Sequence, residues 1–119
     1  MTQNTVDIFN PKTIRATMGS IYRVPFVYVQ NISDTIKQLK MAGIDVYAAH
    51  LKGKQYYDSF DYKKSCAFLI GNEGNGLKEE TAEMADIYVK IPMAGQVESL
   101  NAAVATTLFM YEAARQRGF

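Results

Sequence analysis

Two apolar runs, each stopping at a small polar loop, constrain this chain more than any other feature. The first is Phe68-Leu69-Ile70 followed by Gly71-Asn72-Glu73-Gly74-Asn75-Gly76-Leu77; the second is Ile91-Pro92-Met93-Ala94-Gly95-Gln96-Val97-Glu98-Ser99-Leu100-Asn101. A continuous apolar run ending in this way reads as a buried strand of a parallel sheet, and open α/β sheets hold their ligands outside the carboxyl ends of the strands. Two such loops side by side make a pocket. Gly71, Gly74 and Gly76 allow the backbone to turn tightly and to approach a flat ligand closely. In the second segment Gly95 permits a turn, and Glu98 to Asn101 opens a long helical pattern. Ser99 and Asn101 then fall in its first turn, where unpaired amides and small polar side chains gather.

The rest of the chain alternates in the same way. Asn10 caps a short helix with Pro11 at its first position, running to about Met18 and ending near Gly19. Residues 26–29 read as a strand that begins after Pro25. Ser33 caps a helix over residues 34–41, closed by Gly43, with Ile36, Leu39 and Ala42 on its buried face. Strands are predicted at 44–49, 67–70 and 87–91, with a tyrosine-rich connection after the first of them and a helix at 78–84 between the last two. The final helix, from about 98 to 116, spaces Leu100, Val104, Leu108 and Tyr111 down one stripe, read as core or as a subunit interface. Strands alternating with helices predict an α/β fold with a mostly parallel sheet flanked by helices.

The two loop segments resemble motifs 2 and 3 of the SpoU-type RNA methyltransferases, a branch of the SPOUT superfamily with a C-terminal trefoil knot that binds S-adenosylmethionine. The resemblance implies that Glu73 is the glutamate of motif 2, and that Ser99 and Asn101 are the serine and asparagine of motif 3, acting on the transferred methyl and its acceptor. It implies cofactor contacts at Gly71, Asn72, Gly74, Ile91, Met93 and Leu100, mostly through the backbone. Transfer to a ribose 2′-hydroxyl of ribosomal or transfer RNA is the implied reaction. The family's motif 1, with the arginine thought to activate that hydroxyl, lies upstream of the segment that begins this chain, so its role is not carried over to Arg15. The chain is therefore expected to be one domain, 1–119, forming the C-terminal portion of a catalytic domain. A non-catalytic module that binds cofactor or RNA is the alternative.

Composition bounds the remainder. A chain of 119 residues with 48% apolar and 21% charged residues is an ordinary globular domain with one core. A net charge of +1 gives no overall basic signature, so RNA contact must rest on a local patch, and Arg15 and Arg23 are the candidates. One cysteine, Cys66, suits a reducing cytoplasmic setting. One histidine, His50, leaves no ligand set for a metal; it reads as a loop residue or a general base. Neither a signal peptide nor a membrane span is expected. Neither the Walker pattern nor Gly-x-Gly-x-x-Gly is present, which makes a nucleotide phosphate cradle the weakest of the three readings. A homodimer is expected, because the missing first strand and helix leave apolar surface to cover.

Overall fold

The computed structural model describes residues 1–95 and 99–119 and divides into two units, Met1–Ile32 and Ser33–Phe119. In the first unit, helix α1 (Pro11–Ala16) starts where expected: the Asn10 side chain accepts from the Lys12 N–H at 2.9 Å, with Pro11 in the first turn. It stops two residues before Met18. Met18 at φ 48° and Gly19 at φ 86° both lie in the left-handed region, which no helix continues through. A single-turn 3-10 helix, Ser20–Tyr22, follows. The strand expected at 26–29 does not form. Only Val29 makes an isolated parallel bridge, to Thr2, and Phe26, Val27 and Tyr28 are exposed. Pro25 removes a donor at the start of the segment, and no neighbouring strand supplies a ladder.

The second unit carries the sheet. Helix α2 (Ile32–Met41) begins two residues earlier than a Ser33 cap would require, so Ser33 lies inside it. It ends as predicted: Gly43 takes φ 73°, and the Ile44 N–H reaches back to the Leu39 carbonyl at 3.0 Å. Ile36 is buried and Leu39 half-buried, whereas Ala42, placed on the same face by its spacing, is exposed beyond the helix end.

Strands β1 (Asp45–Ala49), β2 (Gln55–Tyr56), β3 (Cys66–Leu69) and β4 (Ile87–Lys90) form one sheet in the order β2-β4-β1-β3. All three pairings are parallel, with Tyr47 opposite both Phe68 and Ile87. The central position of β1 explains its sequence, since Val46, Tyr47 and Ala48 are all buried. β2 escapes sequence reading because it is two exposed residues on a sheet edge. Helix α3 (Glu79–Ala82) lies between β3 and β4, shorter than the predicted 78–84.

Helix α4 (Ala102–Gln116) packs through a face other than the predicted stripe. Phe109, Glu112 and Ala113 are buried, Leu108 is half-buried, and Val104 and Tyr111 are exposed. Phe109 stacks on Phe68 of β3 with centroids 5.1 Å apart, and joins Tyr47, Tyr62, Val89 and Ala113 in the core. The end of α4 is tied down by polar contacts. Gln116 donates to the Phe60 carbonyl and accepts from the Tyr62 N–H, and Arg117 donates to the carbonyls of Tyr62 and Lys64. Among the described residues no helix is long and apolar enough to cross a membrane.

Candidate functional site

The carboxyl ends of β1, β3 and β4 open onto one cavity of about 430 Å³. The segment after β3 forms one wall. Asn72 closes it into a tight loop: its carbonyl accepts from the Gly76 N–H at 2.9 Å, and its side-chain oxygen accepts from the Asn75 N–H at 2.7 Å. Gly71 sits where the two limbs of this loop meet. A Cβ there would lie 2.1 Å from both Gly76 C and Leu77 N, so no other residue fits without opening the loop. Gly76 turns the chain with φ 66°.

The segment after β4 forms a second wall, with Ile91, Met93, Ser99 and Leu100 lining the cavity. Both Ser99 and Asn101 can cap a helix; the structure uses Asn101. Its Oδ1 accepts from the N–H groups of Ala103 and Val104 at 3.0 and 3.3 Å, and α4 begins one residue later. Ser99 therefore precedes the helix instead of lying in its first turn, and Glu98 lies outside the described residues. With its oxygen committed to α4, the Asn101 amide turns its Nδ2 outward and donates to Glu73 Oε1 at 3.1 Å. One side chain thus starts the last helix and grips the carboxylate in the opposite loop.

Of the residues singled out in sequence, Gly71, Asn72, Glu73, Gly74, Ile91, Met93, Ser99 and Leu100 line the cavity, and Asn101 touches it through Glu73. Arg15 and Arg23 are exposed residues of the N-terminal unit, on α1 and just after the 3-10 helix. Sequence reading missed Leu51, Lys90 and Phe109 as wall residues, and left His50 as a loop residue or base. The signal was there for three of them: His50 and Leu51 follow β1 and Lys90 ends β4, at the carboxyl ends where ligands collect. Phe109, eight residues into α4, carried no such signal.

The cavity can take a flat organic molecule. Ile70, Ile91, Leu100 and Phe109 offer an apolar face, while the glycine loop and Glu73 offer hydrogen-bonding groups. Its volume falls within the roughly 300–1,000 Å³ of small-molecule sites. Among the described residues no group of three or more His, Cys, Asp or Glu side chains is arranged to hold a metal.

A parallel α/β unit with its cavity between two loops at the strand ends, bridged by an asparagine–glutamate pair, defines the class of small-ligand-binding α/β domains. Within that class, residues 1–111 match the SpoU rRNA Methylase family, and the chain belongs to it. It is similar to the 23S rRNA (guanosine(2553)-2'-O)-methyltransferase RlmP of Bacillus subtilis, at 36% identity over 107 residues, 90% of this chain and 43% of that protein. Its structure resembles that of the SpoU methyltransferase AviRb from Streptomyces viridochromogenes in complex with AdoMet, at 36% identity and a TM-score of 0.85, covering 98% of this chain and 46% of that one. The AdoMet-bound rRNA methyltransferase from Sinorhizobium meliloti gives 40% identity and a TM-score of 0.86, over 96% of this chain and 44% of that one. The chain thus spans less than half the length of these relatives.

Proposed function

We propose that this chain forms the S-adenosylmethionine-holding part of an RNA ribose 2′-O-methyltransferase, with ribosomal or transfer RNA as acceptor. The observation that carries this reading is the Asn101 Nδ2 to Glu73 Oε1 hydrogen bond, which joins the two motif loops over one cavity. The residues present fit the cofactor: the apolar wall suits an adenine ring, and Gly71, Asn72, Gly74, Ile91, Met93 and Leu100 line the cavity around it. When bound, S-adenosylmethionine supplies a sulfonium methyl group to a nucleophile. Glu73, steadied by Asn101, is assigned to accept a hydrogen bond from the acceptor hydroxyl and orient it, with Ser99 beside it. The apolar wall excludes water. Arg15 and Arg23, both exposed, are assigned to phosphate contacts.

The same proposal covers the domain and its setting. Residues 1–119 are read as part of one catalytic domain working in the cytoplasm, with the C-terminal trefoil knot of the family. The fold match and the tying of Gln116 and Arg117 to the 60–64 segment support the knot. Exposed Val104, Met110 and Tyr111 on α4 support a homodimer.

Titration calorimetry with S-adenosylmethionine tests the cofactor, and transfer of labelled methyl to unmodified ribosomal and transfer RNA, followed by digestion to nucleosides, tests the reaction. Glu73→Ala and Asn101→Ala are expected to lower transfer about a hundredfold. Wild-type rates in both variants overturn the assignment. A second reading is a module that binds cofactor or RNA without turnover. Cofactor binding with no transfer to any RNA selects it.

A further inference from the structure

The loop after β1 and the start of α3 meet at one carboxylate. Glu79, the first residue of α3, accepts from Lys52 Nζ at 2.6 Å through Oε1 and pairs with His50 Nε2 at 3.2 Å through Oε2. The tautomer follows from the other ring nitrogen. His50 Nδ1 accepts from the Lys52 N–H at 3.2 Å, so Nε2 carries the proton and donates to Glu79. The His50 ring also stacks on Tyr88, with centroids 4.8 Å apart. The loop itself lies hard against β4: a Cβ on buried Gly53 would be 3.0 Å from Lys90 N and Val89 C. Both ring nitrogens of His50 are thus engaged, which holds the ring in place. What remains is a rigid wall.

His50 and Leu51 line the cavity on one side, and the loop from Gly71 to Leu77 lines it on another. Glu79 follows that loop by two residues. We infer that Glu79 is a positioning residue, a clamp that fixes the spacing of these two walls and with it the fit of the ligand between them. The inference rests on the reading of the cavity as the S-adenosylmethionine site. Glu79 touches no reacting atom in this scheme; it acts through His50 and Lys52. Each bridge is a surface contact that contributes little to global stability, yet both converge on the border of the cavity.

Titration calorimetry with S-adenosylmethionine, and with S-adenosylhomocysteine as a second probe, tests the clamp on four variants: Glu79→Ala, Lys52→Met, Glu79→Gln, and Lys40→Met. The last breaks the ion pair with Asp86 at 3.0 Å, which involves no lining residue. Glu79→Ala is expected to weaken both probes about fivefold and Lys52→Met somewhat less, with Glu79→Gln, whose amide oxygen still accepts from His50 or Lys52, staying within about twofold of wild type. Lys40→Met leaves affinity unchanged, and the thermal midpoints of the Glu79 and Lys52 variants match the wild type. Unchanged affinity in Glu79→Ala, a loss in Glu79→Gln as large as that in Glu79→Ala, or an equal loss in Lys40→Met overturns the clamp while leaving the cofactor reading intact. Wild-type protein that binds neither probe overturns the cofactor reading itself, and the clamp with it.

Discussion

Gly71 and Tyr62 show how single atoms govern this unit. The hydrogen of Gly71 points at the backbone of Gly76 and Leu77, where a methyl group has no room. Gly71→Ala is expected to force the loop open and abolish S-adenosylmethionine binding, while β3 keeps its place in the sheet; an affinity within about threefold of wild type contradicts this. Tyr62 poses the opposite problem. Its ring is fully buried among Tyr47, Phe60 and Phe68, and its hydroxyl has no hydrogen-bond partner among the described residues. Burial pushes that hydroxyl above the ordinary tyrosine pKa. Tyr62→Phe removes the orphaned group at nearly constant shape, and a gain of about 1 kcal/mol in denaturant unfolding is expected. At this scale the sequence was most readable: the glycines, Glu73 and Asn101 stand out by type and spacing. What could not be read was which of two cap-capable side chains, Ser99 or Asn101, the helix would use. That depends on where Glu73 sits in space.

Helix α4 is the element where electrostatics and packing meet. Glu112 is buried, and its carboxylate is held by two hydrogen bonds from Arg115, at 2.7 and 2.8 Å, and one from Gln116 at 2.7 Å. These bonds, Arg115 first, draw its pKa down from 4.5 to about 2. A depressed carboxylate stabilises the fold above its unfolded value, and that contribution drains away as pH falls from about 4.5 towards 2. Arg115 is largely exposed, which screens the pair, so the contribution is on the order of 1–2 kcal/mol. Glu112→Gln is expected to lower stability at neutral pH by that amount and to flatten the loss between pH 4.5 and 2. Parallel slopes for the two proteins contradict it. The same helix shows why its buried face was misread. Val104, Leu108 and Tyr111 make an unbroken bulky stripe, whereas the face that meets the sheet mixes Ala105, Phe109 and Ala113 with the buried Glu112, so periodicity alone selects the wrong side. The two-residue strand β2 gave no periodic signal at all.

For the molecule as a whole, the exposed side of α4 is where the proposed homodimer is tested. Val104, Met110 and Tyr111 are 49%, 63% and 73% exposed, apolar side chains that one copy alone leaves in water. Sedimentation is expected to give a dimer at micromolar concentration, and Tyr111→Glu a monomer; a wild-type monomer at all concentrations removes the dimer from the proposal. The parallel sheet was legible because apolar segments alternate with helical ones, and the burial of Val46, Tyr47 and Ala48 on the central strand accords with it. In the N-terminal unit, by contrast, the apolar run at 26–29 has the composition of a strand but no ladder.

The dual engagement of Asn101 carries one more consequence. A single amide nucleates fifteen residues of helix with its oxygen and steadies a carboxylate with its nitrogen. Fraying at the first turn of that helix would be felt at once as a loosened grip on Glu73, so the order of α4 and the placing of that carboxylate rise and fall together.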